Sequence, residues 1–200
     1  QIPVREGIGL GFDRILRSIL RHDPDVILVG EIRDEVTAKI ALQASLTGHL
    51  VLGTLHTNDA PGAVVRLMEM GLEPFLIAAS LKGVLAQRLV RKLCPECRTG
   101  IEGTSPALGP FPELRSPGER IFEAKGCPHC QGFGYKGRAA IGEFFLVSAQ
   151  LRSLIAVGSP LETLRQKALE EGMKALHEEA RENLLHGVSS LEEYLRFRPR

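Results

Sequence analysis

Four cysteines form two pairs with the same internal spacing, and no other cysteine occurs in the 200 residues. Cys94 and Cys97 form the first pair, Cys127 and Cys130 form the second, and residues 98–126 lie between them. Two Cys-x-x-Cys pairs supply four thiolates, which is the donor set of a closed, tetrahedral structural zinc site. An iron–sulfur cluster, a redox dithiol and two disulfides are the alternatives. We favour structural zinc, because neither pair lies in the βαβ context of a thioredoxin-like dithiol.

A carboxylate follows the apolar run at residues 26–29, where Gly30 and then Glu31 come next. If that run is a parallel strand, Glu31 lies at its carboxyl edge, outside which ligands bind in open α/β sheets. A carboxylate there can hold the Mg²⁺ of a nucleotide or orient an attacking water, as in a Walker B strand. A solvated loop carboxylate is the alternative interpretation.

Histidines flank the second apolar run, residues 50–52: His49 precedes it and His56 follows it. At the carboxyl end of a strand, the imidazole of His56 can donate a hydrogen bond to a γ-phosphate. A purely structural histidine is the alternative, and residues 57–59 can equally be an N-cap for the next helix. His129, between the cysteines of the second pair, is predicted to be a bystander.

Four further residues are candidates for contacts with a nucleotide or with a neighbouring subunit. Arg17 and Arg21 lie four apart on a predicted helix and therefore on one face of it. Arg33 and Asp34 follow Glu31 directly. In ring motors an arginine from a neighbouring subunit often neutralises transition-state charge. A solvated basic face is the alternative for the arginines.

The spacing of apolar residues predicts the elements that position these groups. Strands at 26–29 and 50–52 alternate with predicted helices at 12–21, 35–46, 61–70 and 74–89, which indicates an α/β fold with a buried parallel sheet. From residue 94 to residue 130 the chain is rich in Gly and Pro, as in a module that no apolar core holds. A strand at 138–147 and helices at 151–157, 161–171, 173–185 and 191–197 are predicted to follow.

Composition excludes two classes of protein. The net charge of +1 and the 5% of aromatic residues argue against a zinc ribbon that binds nucleic acid. No apolar run approaches the roughly 20 residues that cross a bilayer.

The motifs together resemble the ATPases of type II secretion and type IV pilus assembly, within the secretion ATPase superfamily, from about Gly7 to the C-terminus. The resemblance rests on residues 30–34 (GEIRD), 41–49 (ALQASLTGH), 54–58 (TLHTN) and 85–91 (LAQRLVR). It implies that Glu31 is the catalytic carboxylate of the Walker B motif, and that His49 and His56 are the His-box pair. It also implies three segments: the C-terminal part of a RecA-like P-loop NTPase domain (1–93), a tetracysteine zinc module (94–130) and a mainly helical region (131–200).

The same resemblance implies a cytoplasmic motor, peripheral at the inner membrane, that uses ATP and Mg²⁺ and carries structural Zn²⁺. Its implied partners are further copies in a homohexamer, an inner-membrane platform protein and associated cytoplasmic assembly proteins, without nucleic acid. The four cysteines point to the secretion or pilus-extension branch, since retraction ATPases of the superfamily generally lack them.

No Gly-x-x-x-x-Gly-Lys-[Ser/Thr] phosphate-binding loop occurs in the sequence. We therefore expect the chain to be part of a longer protein and to lack ATPase activity by itself. The alternative function is that of a non-catalytic, zinc-containing fragment that docks on a membrane platform protein.

Overall fold

The computed structural model describes residues 2–5, 7, 9–103, 108, 111–114 and 120–198. The chain divides into two compact units, of which the first comprises residues 1–86 and 144–173 and the second residues 87–143 and 174–200. Each unit combines stretches that are distant in sequence. The bounds of the units therefore differ from those of the three segments predicted from the motifs.

The first unit has the alternation of helix and strand that the apolar runs predict. Its complete elements are α1 (Phe12–Ile19), β1 (Val26–Val29), α2 (Glu35–Leu46), β2 (Leu50–Gly53), α3 (Gly62–Glu69), α4 (Pro74–Ser80), α5 (Ala149–Ala156) and α6 (Leu161–Glu170). β1 and β2 pair in parallel, with Val26 opposite Leu50 and Val29 opposite Gly53. The α/β class is thereby confirmed.

One face of the β1–β2 pair carries the core of this α/β layer. Ile27 and Val29 point into a cluster with Leu16 of α1 and with apolar residues of α2. The opposite face is open among the described residues, with side chains 49% to 73% exposed at Val26, Leu28, Leu50 and Leu52. The prediction of strands buried on both faces is wrong here, because the parallel register aligns these four residues on the side away from α1 and α2.

Residues 83–89, predicted to end a helix, form a strand instead. β3 (Gly83–Leu93) pairs with β6 (Tyr135–Leu146). Three apolar residues of β3 are buried, four and three positions apart: Ala86, Val90 and Leu93. That spacing matches one face of a helix, which explains the wrong prediction. The pairing with a strand some 50 residues later is a tertiary contact that local spacing does not contain.

The second unit is built around the segment between the cysteine pairs. It contains β4 (Thr99–Glu102), β5 (Arg120–Glu123), α7 (Leu176–Leu185) and α8 (Leu191–Leu195), with residues 87–93 of β3 and 135–143 of β6. β4 and β5 pair antiparallel, with Thr99 opposite Glu123. α7 begins at Leu176, three residues later than predicted, and Ser190 caps α8 through its hydroxyl, which accepts the Glu193 amide at 3.4 Å.

An apolar core holds this unit, contrary to the prediction for residues 94–130. Leu108, Leu114 and Ile121 from that segment are fully buried. They pack in one cluster with Ala180 and Leu184 of α7, among others. The cluster was not visible in the sequence because its halves lie more than 50 residues apart. Among the residues that the structure describes, no helix is both long and apolar enough to cross a membrane.

Candidate functional site

The two strand ends with candidate catalytic residues meet at one edge of the sheet. Pairing continues beyond β1 and β2, because the Ile32 amide donates to the Thr54 carbonyl at 3.0 Å. The Thr54 hydroxyl in turn donates to the Gly30 carbonyl at 2.6 Å. This arrangement brings His56 to Glu31, and His56 Nε2 forms a hydrogen bond with Glu31 Oε1.

Arg33 engages the second oxygen of Glu31, with Nη2 at 2.6 Å from Oε2. The Glu31 side chain is 19% exposed, whereas those of Arg33 and His56 are 73% and 85% exposed. The hydrogen bond from Arg33 lowers the pKa of Glu31, desolvation opposes that effect, and the hydrogen bond from His56 adds to the lowering. Glu31 is therefore ionised at neutral pH. Each of its oxygens bonds to a nitrogen atom of a side chain that is exposed to solvent.

The chemistry of this cluster is that of a carboxylate beside an exposed imidazole. Such a pair can orient a water molecule or exchange a proton with one. One carboxylate can hold Mg²⁺ together with waters and phosphates, but here both oxygens of Glu31 already bond to nitrogen atoms. The donor set of Glu31 and His56 thus fits water positioning better than an inner-sphere metal site.

His49 lies at the opposite end of β2 from His56. Its Nδ1 is 3.0 Å from the Ala44 carbonyl and 3.2 Å from the Thr47 hydroxyl. These contacts fix the turn between α2 and β2. The structure therefore brings His56 to Glu31 and places His49 in a local structural network.

The remaining candidates have different environments. Asp34 caps α2, where its two oxygens accept the Thr37 amide at 2.8 Å and the Thr37 hydroxyl at 2.9 Å. Arg17 lies exposed in the last turn of α1, and Arg21 lies exposed in the 3₁₀ turn that follows. Of these candidates Arg33 is the one that the structure pairs with Glu31.

The loop after His56 is tied to α6 by an ion pair. Asp59 Oδ1 accepts the Gly62 amide at 2.8 Å, at the first residue of α3. Asp59 Oδ2 accepts a hydrogen bond from Arg165 Nη2 at 2.7 Å. Asp59 thus binds the first amide of α3, but the N-cap residue of the helix is Pro61, so the N-cap does not fall within residues 57–59. Arg165 supports the loop from 106 residues away.

The four cysteines converge in the second unit. Their sulfur atoms all lie within 4.8 Å of one another. Sγ–Sγ distances are 3.9 Å for Cys94–Cys127, 3.8 Å for Cys97–Cys130 and 3.8 Å for Cys127–Cys130. Zinc–sulfur bonds of about 2.3 Å in a regular tetrahedron place the sulfurs about 3.8 Å apart. The cluster therefore fits a single tetrahedral ion of this size.

Backbone amides donate hydrogen bonds to one of these thiols. Cys130 Sγ accepts the Cys127 amide at 3.2 Å and the Gly134 amide at 3.1 Å. Burial raises the pKa of Cys130, but these two amides and the neighbouring thiols outweigh it and lower the pKa to about 6. Burial instead raises the pKa of Cys97 to about 12. A metal that takes all four thiolates must therefore displace protons.

Gly134 links the two cysteine pairs directly, since its carbonyl accepts the Cys94 amide at 2.9 Å. It has φ +75°, and a Cβ at this position would lie 2.6 Å from the Cβ of Ala124. His129 is not a sulfur neighbour: its Nε2 accepts a hydrogen bond from Lys136 Nζ at 2.8 Å. Its environment is that of the predicted bystander.

Comparison with known proteins places this arrangement in a family. A family model described as "Type II/IV secretion system protein" matches residues 1–196. The chain belongs to this family. It is 48% identical over 198 residues to the type IV pilus assembly ATPase PilB of Thermus thermophilus, covering 98% of this chain and 22% of the relative. It is 47% identical over 196 residues to the type II secretion system protein HxcR of Pseudomonas aeruginosa, covering 98% of this chain and 38% of the relative.

A further family member, the type II secretion system ATPase E of Vibrio cholerae, is 46% identical over 196 residues, or 98% of this chain and 39% of the relative. The chain thus spans well under half the length of these curated relatives. Among solved structures, the pilus retraction motor PilT with bound ADP superposes with a TM-score of 0.66 at 26% identity, covering 95% of this chain and 44% of PilT. The resemblance stated from the motifs is thereby confirmed.

Two features of this family member were not found from its sequence. Arg33 was a candidate for a nucleotide or a neighbouring subunit, and its bond to Glu31, two residues away in the same segment, was not predicted. Arg165 was not a candidate at all, because a single arginine on an amphipathic helix carries no local signal. A signal for Arg165 would require knowledge of which residues approach across the fold, since its partner Asp59 is 106 residues away.

Proposed function

We propose that the full-length protein is an ATPase motor that couples ATP hydrolysis to assembly of a type II secretion pseudopilus or a type IV pilus. The observation that carries this proposal is the ionised Glu31 beside His56 at the carboxyl edge of a parallel strand pair. The relatives named as secretion and pilus assembly ATPases support it. The motor is proposed to be cytoplasmic, to dock on an inner-membrane platform protein and to contain a RecA-like domain that holds Mg-ATP.

In this proposal Glu31 orients the attacking water and accepts its proton. Arg33 keeps the carboxylate ionised by holding Oε2, and His56 exchanges its bond with Glu31 for a bond to the substrate phosphate. The exposed position of His56, at 85%, leaves the imidazole accessible to a nucleotide at this edge. The 200-residue chain contains no phosphate-binding loop, so we expect it to be inactive alone.

The test is the Glu31→Gln substitution in the full-length protein, which keeps the side-chain shape and removes the charge. Loss of a water-positioning or acid–base group should lower the rate of ATP turnover by about 10²-fold or more, with ATP binding retained. The matched control is Glu35→Gln, an exposed carboxylate that pairs with Lys39 on α2. The assignment is wrong if the two variants hydrolyse ATP at the same rate.

We propose one structural Zn²⁺ per chain, held by the four cysteine thiolates. The sulfur spacing supports this choice over a site with an open position, because all four tetrahedral positions have a protein ligand. Elemental analysis of protein purified without chelators should find one zinc, and X-ray absorption should give zinc–sulfur distances of about 2.3 Å. Iron in that analysis, or no metal, would contradict the proposal.

We propose that the full-length protein works as a homohexameric ring in which an arginine acts on the neighbouring subunit. Arg17 is the first candidate, since it lies exposed at the end of α1. Mixing two inactive full-length variants, Glu31→Gln and Arg17→Ala, should restore some activity, because one interface then combines an intact Glu31 with an intact Arg17. No recovery would reject Arg17 as the residue acting between subunits. Light scattering with a non-hydrolysable ATP analogue tests the ring itself, which a strict monomer at micromolar concentration would contradict.

A further inference from the structure

The segment between α7 and α8, together with the start of α8, runs alongside the four cysteines. We call residues 187–193 the strap. The Val188 carbonyl accepts the Leu93 amide at 2.9 Å, and the Gly187 carbonyl accepts Arg98 Nη1 at 2.7 Å. Leu93 directly precedes Cys94, and Arg98 directly follows Cys97. The strap therefore holds the first cysteine pair from both sides.

The strap is also linked, through Arg98 on one side and directly on the other, to residues on either side of the second pair. The Arg98 guanidinium lies 4.7 Å from the centre of the Phe122 ring, five residues before Cys127. The Tyr135 hydroxyl, five residues after Cys130, lies 2.8 Å from the Ser190 hydroxyl. The strap is thus connected to all four cysteines through hydrogen bonds, a ring contact and short stretches of chain.

A buried carboxylate anchors the strap at its end. Glu193 is 1% exposed, and its two oxygens accept the Arg91 amide at 2.9 Å and Arg91 Nε at 2.8 Å. The Ser189 hydroxyl donates to the Arg91 carbonyl at 2.9 Å. Arg91 lies three residues before Cys94, so backbone and side chain are both fixed just upstream of the first ligand.

There is no spare room between the strap and the module. Gly187 has φ +65°, and a Cβ on it would lie 2.5 Å and 2.8 Å from ring carbons of Phe122 and 3.0 Å from Arg98 Nη1. Moving the strap outward would break the bond from Arg98 to the Gly187 carbonyl. Because the approach is so close, a shift of the strap should change the spacing of the cysteine pairs, and a change in that spacing should shift the strap.

We propose that the strap is a positioning element for the four-cysteine site, so that metal retention and order in the C-terminal segment are coupled. The proposal rests on the proposed metal site. Groups that orient metal ligands from outside typically change metal affinity 10- to 100-fold when they are lost. Coupling between two equilibria is reciprocal, so the metal must also stabilise the strap. A partner that displaces α8 would thereby loosen the metal module.

The first experiment measures zinc release from the full-length protein to a chromogenic chelator. Gly187→Ala should speed release about 10-fold. The control is Gly172→Ala, which introduces a side chain at φ +93° with nothing within 4 Å, and which should leave release unchanged. A milder variant, Ser189→Ala, removes only the hydroxyl bond to Arg91 and should speed release by a smaller factor.

The second experiment measures the reverse effect in the unmodified protein. Removing zinc with a chelator should increase hydrogen exchange at the amides of residues 187–195, while those of α5 keep their protection. If Gly187→Ala fails to fold, Ser189→Ala and this exchange measurement decide the question. Zinc bound at one per chain, with equal release from Gly187→Ala and Gly172→Ala or with unchanged exchange at 187–195, overturns the strap proposal. Protein without any bound metal overturns the metal site instead.

Discussion

Glu193→Gln is the substitution whose effect on folding is best defined by the structure. The variant keeps the shape of the side chain and removes one charge. The carboxylate is 1% exposed, whereas its partners Arg91 and Arg196 are 43% and 56% exposed. The substitution removes the buried charge itself and leaves two guanidinium groups that can regain water, so no charge is left buried and unpaired. The loss is therefore that of hydrogen bonds between charged groups, about 2 kcal/mol.

A loss of that size should lower the melting temperature of the second unit by about 8–16 °C, at roughly 4–8 °C per kcal/mol for a unit of this size. The chain has two tyrosines and no tryptophan. Tyr135 and Tyr194 both belong to the second unit. Near-ultraviolet circular dichroism of the tyrosines therefore reports the unfolding of the unit that contains Glu193. The control is Glu192→Gln, whose carboxylate is 69% exposed and should contribute less than about 1 kcal/mol.

The pH dependence gives this prediction a second readout. Burial raises the pKa of Glu193, but hydrogen bonds from Arg91 and the charge of Arg196 outweigh burial and hold the pKa below its ordinary 4.5. A lowered pKa stabilises the fold above pH 4.5, and this contribution is lost as the pH falls through the folded-state pKa. The stabilities of the wild type and of Glu193→Gln should therefore converge in acid. A gap of equal size at pH 7 and pH 3, or equal losses for Glu193→Gln and Glu192→Gln, would refute the reasoning.

Three further predictions follow from other contacts. Ile121→Ala should destabilise the second unit by about 2–5 kcal/mol, because Ile121 is fully buried. Urea titrations should show this loss even without metal, and an effect confined to the zinc-bound form would contradict the apolar core. Cys127→Ser should abolish stoichiometric zinc binding without changing the melting of the first unit, which elemental analysis and far-ultraviolet circular dichroism check. Arg165→Ala should cost about 1 kcal/mol through its 2.7 Å bond to Asp59, and no shift in the urea midpoint would show that this pair is energetically neutral.

The local sequence pattern was sufficient to predict the strand edge where Glu31 and His56 meet. The apolar runs before Glu31 and His56 predict strands, and parallel strands bring their carboxyl ends to the same edge, so the two side chains could be expected to meet. The cysteine site was likewise predictable, because spacing alone defines two chelating pairs. His49 was assigned with His56 by resemblance, and the structure separates them by the length of β2.

Contacts between distant residues were not predictable in this way. Arg91 and Glu193 are 102 residues apart, and each looks like an ordinary surface charge in its own surroundings. Residues 83–89 have apolar spacing that fits a helix, and the pairing with β6 overrides it. The core residues between the cysteine pairs become recognisable only when α7 packs on them, because three scattered apolar residues form no periodic pattern.

Few substitutions should be tolerated at Gly134, beside the four-cysteine cluster. Its amide bonds Cys130 Sγ and its carbonyl bonds the Cys94 amide, so one peptide serves both halves of the cluster. Any side chain there would adopt an unfavourable φ and meet Ala124 at 2.6 Å. In a saturation library scored by zinc content, position 134 should therefore accept glycine alone. Gly137 also has positive φ, but nothing lies within 4 Å of its Cβ position, so asparagine should be admitted there.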